Sequence, residues 1–153
     1  MTIAPIVHSV EVKASPARAF TLFTADFGKW RPAMMTIGPS PPVAVHFEPK
    51  PGGAVFEQAE DGTVTLWGKV LAWAPPSRLV FTWQISSSWA YDPDLVTEVE
   101  VTFEPVADGR TRVTLTHSKL EAFGASAVEH ADQLRNGWPG IVAAFGDYVE
   151  TQA

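Results

Sequence analysis

The polarity pattern changes twice along the chain. "IVHSVEVKA" alternates, with branched Val7, Val10 and Val12, and predicts a first strand. "SPARAFTLF" then steps at helical spacing through Ala19, Phe20 and Phe23. Ser15 is placed to cap it, and Pro16 stands at the first helical position, where a missing N–H costs nothing. "ADFGKWRPAM" predicts a second short helical turn, broken at Gly28 and Pro32. From Val43 the pattern is one of strands separated by turns. Asp61-Gly62 and Asp108-Gly109 are hairpin signals, expected to take the two-residue turn in which both central positions have positive φ. Leu95, Thr97, Val99, Val101 and Phe103 occupy one face of a strand and Glu98, Glu100, Thr102 and Glu104 the other, which requires one wet face. After His117 helical spacing returns: Leu134, Trp138, Ile141, Phe145 and Val149 line one face of a long terminal helix, with a kink or restart expected at "NGWPG".

The order is strand, helix pair, six strands, long helix. It predicts an α+β domain, residues 1–153, in which a strongly curved antiparallel sheet wraps the last helix and two short helices lie between strands 1 and 2.

Composition narrows the function. The chain of 153 residues is 46% hydrophobic and 18% charged, without an apolar run near the ~20 residues of a membrane span. No membrane insertion is expected, and with no secretory pattern at the amino terminus the expected location is cytoplasmic. There is no cysteine, which excludes disulfides, thiolate catalysis and cysteine-ligated metal. A net charge of −6 with scattered bases argues against nucleic-acid binding. His8, His46, His117 and His130 lie far apart, so no metal motif is formed. No nucleophile elbow, P-loop or dinucleotide fingerprint is present. The acids of clear parity face outward, so paired carboxylates for glycosidic chemistry are not expected. No cofactor is implied.

The segments "SPARAFTLFTADFGKWRP", "KPGGAVFE", "WGKVLAWAPPSRLVFTW", "TEVEVTFEPVADGRTRVTLTH" and "GWPGIVAAFGDYVE" resemble the START-like, or SRPBCC, superfamily, and within it the branch similar to the activator of the heat-shock protein 90 ATPase. The resemblance implies a helix-grip fold with a hydrophobic tunnel between sheet and final helix. Relatives of that fold include lipid carriers, hormone receptors, polyketide cyclases and chaperone-associated domains, so the fold alone leaves function open.

The stretch "LWGKVLAWAPPSRLVFTW" bears on what the tunnel contains. If Lys69 faces water, strict alternation turns Trp67, Leu71 and Trp73 outward and Gly68, Val70 and Ala72 inward, opposite the large Leu79, Phe81 and Trp83. Small residues facing rings would bound a chamber against Trp138, and the outward tryptophans would form an apolar patch suited to a homodimer. A single bulge would exchange the faces and let the tryptophans fill the interior. Alternatively the inward rings simply interlock as core. The expected ligand-lining set is Phe23, Trp30, Phe56, Gly68, Val70, Phe81, Trp83, Tyr91, Val99, His117, Leu134, Trp138 and Ile141. His117 shares the inward phase of Val113 and Leu115, either as an acid–base group or as a satisfied core histidine. Tyr91 is expected with Trp89 at the tunnel mouth, and His130 near its entrance or on the surface. The leading expectation is a non-catalytic domain that binds a hydrophobic small molecule, lipid or aromatic. The alternatives are a polyketide-cyclase-like enzyme using the same tunnel and a chaperone or other protein-interaction module.

Overall fold

A computed structural model describes residues 3–31, 37–38 and 42–152. Strands β1 (Ile6–Val12), β2 (Pro42–Phe47), β3 (Ala54–Ala59), β4 (Val64–Ala74), β5 (Arg78–Trp83), β6 (Thr97–Ala107) and β7 (Arg110–Ser118) form one curled antiparallel sheet in the order β1-β7-β6-β5-β4-β3-β2. Helices α1 (Pro16–Ala25) and α2 (Phe27–Trp30) follow β1, and α3 (Ala127–Thr151) follows a 3-10 segment, Leu120–Ser126. This is the expected helix-grip plan, with α3 gripped by the sheet and packed chiefly on β1.

Local chemistry explains the boundaries. Ser15 Oγ accepts from the Arg18 amide at 3.2 Å, and Pro16 opens α1 as expected. Pro32, where the second turn was expected to break, lies outside the described residues. In the two Asp-Gly turns the glycines have φ of +90° at Gly62 and +71° at Gly109, while Asp61 and Asp108 do not share it. The paired positive φ expected of the Asp-Gly turns is therefore missing at both, although Asp108-Gly109 is a two-residue connection, with Ala107 paired to Arg110, while Asp61-Gly62 lies in a longer turn closed by the Ala59 amide on the Thr63 carbonyl. Asp61 instead accepts from the Thr63 amide through its side chain, an Asx turn.

The expected restart at "NGWPG" is absent: α3 runs unbroken from Ala127 to Thr151 with Pro139 inside it. Gly137, Pro139 and Gly140 are exposed, and so is Arg135, whose carbonyl loses its partner to the proline; water can satisfy that group. The buried stripe of α3 is His130, Leu134, Trp138, Val142, Phe145 and Val149. Ile141 is only partly buried beside it, because Val142 takes the inward position after Trp138.

Strand β6 keeps the predicted alternation: Thr97, Val99, Val101 and Phe103 are buried and their neighbours are not. The outer face carries the pairs Arg78–Glu100, Arg112–Glu11 and Lys119–Glu98, all solvent-accessible and worth little individually.

Strand β4 departs from alternation. The register with β3 skips Trp67, and the register with β5 skips Leu71. Each skipped residue is a bulge that resets the phase of the residues beyond it. Trp67, Val70 and Trp73 consequently all turn inward at intervals of three. Trp67 is 1% exposed and Val70 fully buried, and Trp73 meets Phe20 edge-on at 5.0 Å. Lys69 and Leu71 face water. The outward placement of Trp67 and Trp73 is thus corrected, and with it the tryptophan patch expected to serve a homodimer.

Candidate functional site

The concave side of the sheet, closed by α1, α2 and α3, is an aromatic interior. Rings in contact run from Phe23 through Phe27 (5.8 Å) to Trp67 (5.8 Å), on to Trp83 (5.9 Å), and from there to Trp138 (5.3 Å) and His117 (5.5 Å). Most of these pairs meet edge to face, the arrangement the ring quadrupole favours. Phe145 of α3 closes on Phe23 at 5.2 Å and on Trp30 at 5.1 Å. The small-residue wall expected on β4 is therefore replaced by Trp67, because the bulge brings an indole where a glycine was anticipated.

Of the expected lining residues, Phe23, Trp30, Val70, Phe81, Trp83, Val99, His117, Leu134 and Trp138 are buried in this interior. Gly68 is also buried, but against backbone: a Cβ there would lie 2.0 Å from the Thr82 carbonyl oxygen. Phe56 is a correction. It is half-buried on the opposite face of β3, where its ring meets that of His46 at 5.1 Å, because Val55, Glu57 and Ala59 hold the inward phase. Tyr91 is half-buried in the loop after β5, its backbone bridging Ile85.

The two interior histidines have different environments. Thr97 Oγ1 donates to the Trp83 carbonyl at 2.7 Å, so it accepts from His117 Nε2 at 2.8 Å. His117 Nδ1 accepts from the Trp138 indole N–H at 3.1 Å. Both ring nitrogens are occupied in the neutral Nε2–H tautomer, and a second proton on Nδ1 would face another donor. Burial, with a smaller contribution from His130, lowers the His117 pKa to about 3. His117 thus behaves as a satisfied core group that fixes Trp138 to β6 and β7, rather than as a proton carrier. His130 is 1% exposed, and its pKa is also lowered by burial, against an opposing hydrogen bond with Gln133. Trp83 is 3% exposed, and its indole N–H has no hydrogen-bond partner among the described residues.

A buried acid was not anticipated. Glu57 is 2% exposed and accepts from Trp67 Nε1 at 2.9 Å and from the amides of Ile37 and Gly38 at 2.8 and 3.1 Å. Arg31 lies within electrostatic reach of it, and its guanidinium pKa is lowered by burial and raised by Glu57. The signal was the alternation of "AVFEQA", which places Glu57 in phase with Val55 and Ala59. Glu57 ties β3 to the indole of β4 and to the segment that follows α2. Glu57→Ala is expected to cost roughly 3–5 kcal/mol, the typical loss when one partner leaves a buried charged network. Glu57→Gln, which keeps an acceptor oxygen, should cost less. Urea midpoints of the two variants, at unchanged slope, check the order.

Among the described residues no group of three or more His, Asp or Glu is placed to hold a metal ion, and no helix is long and apolar enough to cross a membrane.

The geometry is that of the helix-grip class, a curled sheet closed on its terminal helix around an apolar interior. The profile of the family described as activator of Hsp90 ATPase homolog 1-like protein matches residues 13–150, and the chain belongs to that family. No curated protein matches it. Among solved structures, an anthrahydroquino-gamma-pyrone synthase in complex is 36% identical, with 95% of this chain and 97% of that one covered and a TM-score of 0.66. The self-sacrificing resistance protein CalC from Micromonospora echinospora is 30% identical, with 97% and 96% covered and a TM-score of 0.66. The Aha1 dimer from Colwellia psychrerythraea is 19% identical, with 97% of each chain covered and a TM-score of 0.65, a likeness of fold.

Proposed function

We propose that the chain binds a polycyclic aromatic small molecule between the sheet and α3. The observation that carries this reading is Trp83: a buried indole N–H without a partner, among the rings of Trp67, Trp138 and His117. A buried donor left unpaired costs roughly 1–3 kcal/mol, which an acceptor oxygen on a ligand would recover. The surrounding ring faces and edges would supply apolar burial and stacking for a planar guest. The 36% identity to a synthase of a fused aromatic product supports the same ligand class. A thermal-shift series with anthraquinone, hydroxyanthraquinones and naphthols tests it. At a hundredfold excess over Kd a ligand specific to the folded state adds about 2.7 kcal/mol, a rise of roughly 5–10 °C in a domain of this size. No rise with any member of the series would remove the reading.

The same likeness favours a second reading, in which the interior positions an aromatic precursor for a bond-forming step and catalysis rests mainly on orientation. His117 is poorly suited to move protons in it, since both its nitrogens are engaged. Replacing His117 should then affect stability far more than turnover. For a protein-interaction role, the tryptophans expected to form its surface are buried or turned inward.

A further inference from the structure

We propose that His130 is the hydrogen-bond acceptor that orients a hydroxyl-bearing aromatic ligand at the loop end of the interior, an assignment that rests on the small-molecule reading above. His130 Nδ1 faces Gln133 Oε1 at 3.1 Å, so Nδ1 carries the proton and Nε2 presents a lone pair. Nε2 is buried and has no partner among the described residues. Burial disfavours the imidazolium, so the ring is a neutral acceptor at physiological pH.

Its cover comes from two segments outside the sheet. The Phe123 ring lies 4.6 Å from that of His130 and the Trp89 ring 5.1 Å, both edge-on. Trp89 is 46% exposed with φ of +61°, and Phe123 precedes Gly124, with φ of +71°. A single side-chain bond, Ser126 Oγ to Ser87 Oγ at 3.0 Å, joins the segments there. A depression of about 180 Å³ opens between them, lined by Phe123, Ser86, Ser87, Leu95, Asp92 and Asp94. Phe123 lines this depression and His130 lies behind its ring, so a ligand entering here reaches His130 when that ring moves aside.

The chemistry selects the ligand. A neutral imidazole nitrogen accepts from O–H or N–H and gains nothing from a carbonyl or an ether. Phe123 and Trp89 favour an aromatic body, and Asp92 and Asp94 at the mouth disfavour carboxylates and phosphates. A neutral phenol meets all three conditions.

The test compares 2-naphthol with 2-methoxynaphthalene, matched in ring and differing in the donor, on the full chain by calorimetry. The wild type is expected to prefer the naphthol by about tenfold, the usual consequence of leaving one buried hydrogen bond unmade. His130→Phe should bring the two within about twofold by weakening the naphthol alone, and His130→Gln, which keeps an acceptor, should restore part of the preference. Equal binding by the wild type, or a preference retained in His130→Phe, overturns the assignment while leaving the small-molecule reading intact. Binding of neither compound overturns the assignment, and the small-molecule reading falls with it only if the anthraquinones fail to bind as well. Should the variants fail to fold, the imidazole nitrogen-15 spectrum of the wild type decides. Its Nε2 resonance should move upfield with naphthol and stay fixed with the ether, and an unmoved resonance contradicts the proposal.

Discussion

Gly68→Ala is expected to abolish stable folding. A methyl at this position would lie 2.0 Å from the Thr82 carbonyl oxygen, 2.6 Å from its Oγ1 and 2.8 Å from its carbonyl carbon. Two of these atoms are backbone of β5, so no rotamer change relieves the overlap. The close approach is part of the bulge that turns Trp67 inward: the Lys69 amide donates to Thr82 Oγ1 at 2.8 Å and the Gln84 amide to the Trp67 carbonyl at 2.9 Å. Adding one carbon must push β5 away, break these bonds or flip the indole, at a cost above about 4 kcal/mol, the range reserved for severe steric or backbone faults. A chain with a normal stability of about 5–15 kcal/mol would lose much of it. The check is a denaturation curve. A Gly68→Ala protein within about 1 kcal/mol of the wild type would show that β5 does not approach this closely.

Acid is expected to destabilise the protein well before its surface carboxylates are fully protonated. His117 has a folded pKa of about 3 against 6.5 in the unfolded chain. The unfolded state therefore holds more protons between those values. The stability from His117 is complete above pH 6.5 and is lost as pH falls, at about 1.4 kcal/mol per unit. By pH 3.5 the loss approaches about 4 kcal/mol from this group. His130 adds in the same direction, since burial lowers its pKa too. Urea midpoints from pH 7 to 4 should fall steeply in the wild type, and the His117→Gln variant should start lower and fall less. Imidazole resonances offer a direct check: His117 should remain neutral with its proton on Nε2 at pH 5, and titration near 6.5 would contradict the buried network.

Residue by residue, legibility followed local regularity. The alternation of β6 from Thr97 to Phe103 and the inward phase of His117 could be read because one face of each stretch is buried, and the cap at Ser15 because its hydroxyl bonds a local amide. Trp67 could not be placed from Lys69, although Lys69 does face water, because the skipped residues Trp67 and Leu71 reset the phase to either side of it. Glu57 was obscured by its charge. Hydrogen bonds offset its burial, among them those from the amides of Ile37 and Gly38, which no local pattern brings to β3. Pro139 did not break α3 because the bond it removes lies on the wet side of the helix. The nitrogens of Trp83 and His130 that lack a partner among the described residues depend on where the surrounding donors and acceptors lie in space, which no sequence pattern records.

The central claim, that the aromatic interior receives a planar guest, is tested most directly by following the six indole N–H resonances of the chain during titration with a hydroxyanthraquinone. The Trp83 resonance should move furthest, because its N–H is unpartnered, with Trp67 and Trp138 moving beside it. Shifts confined to the exposed Trp89, or no shift at saturating ligand, would contradict it.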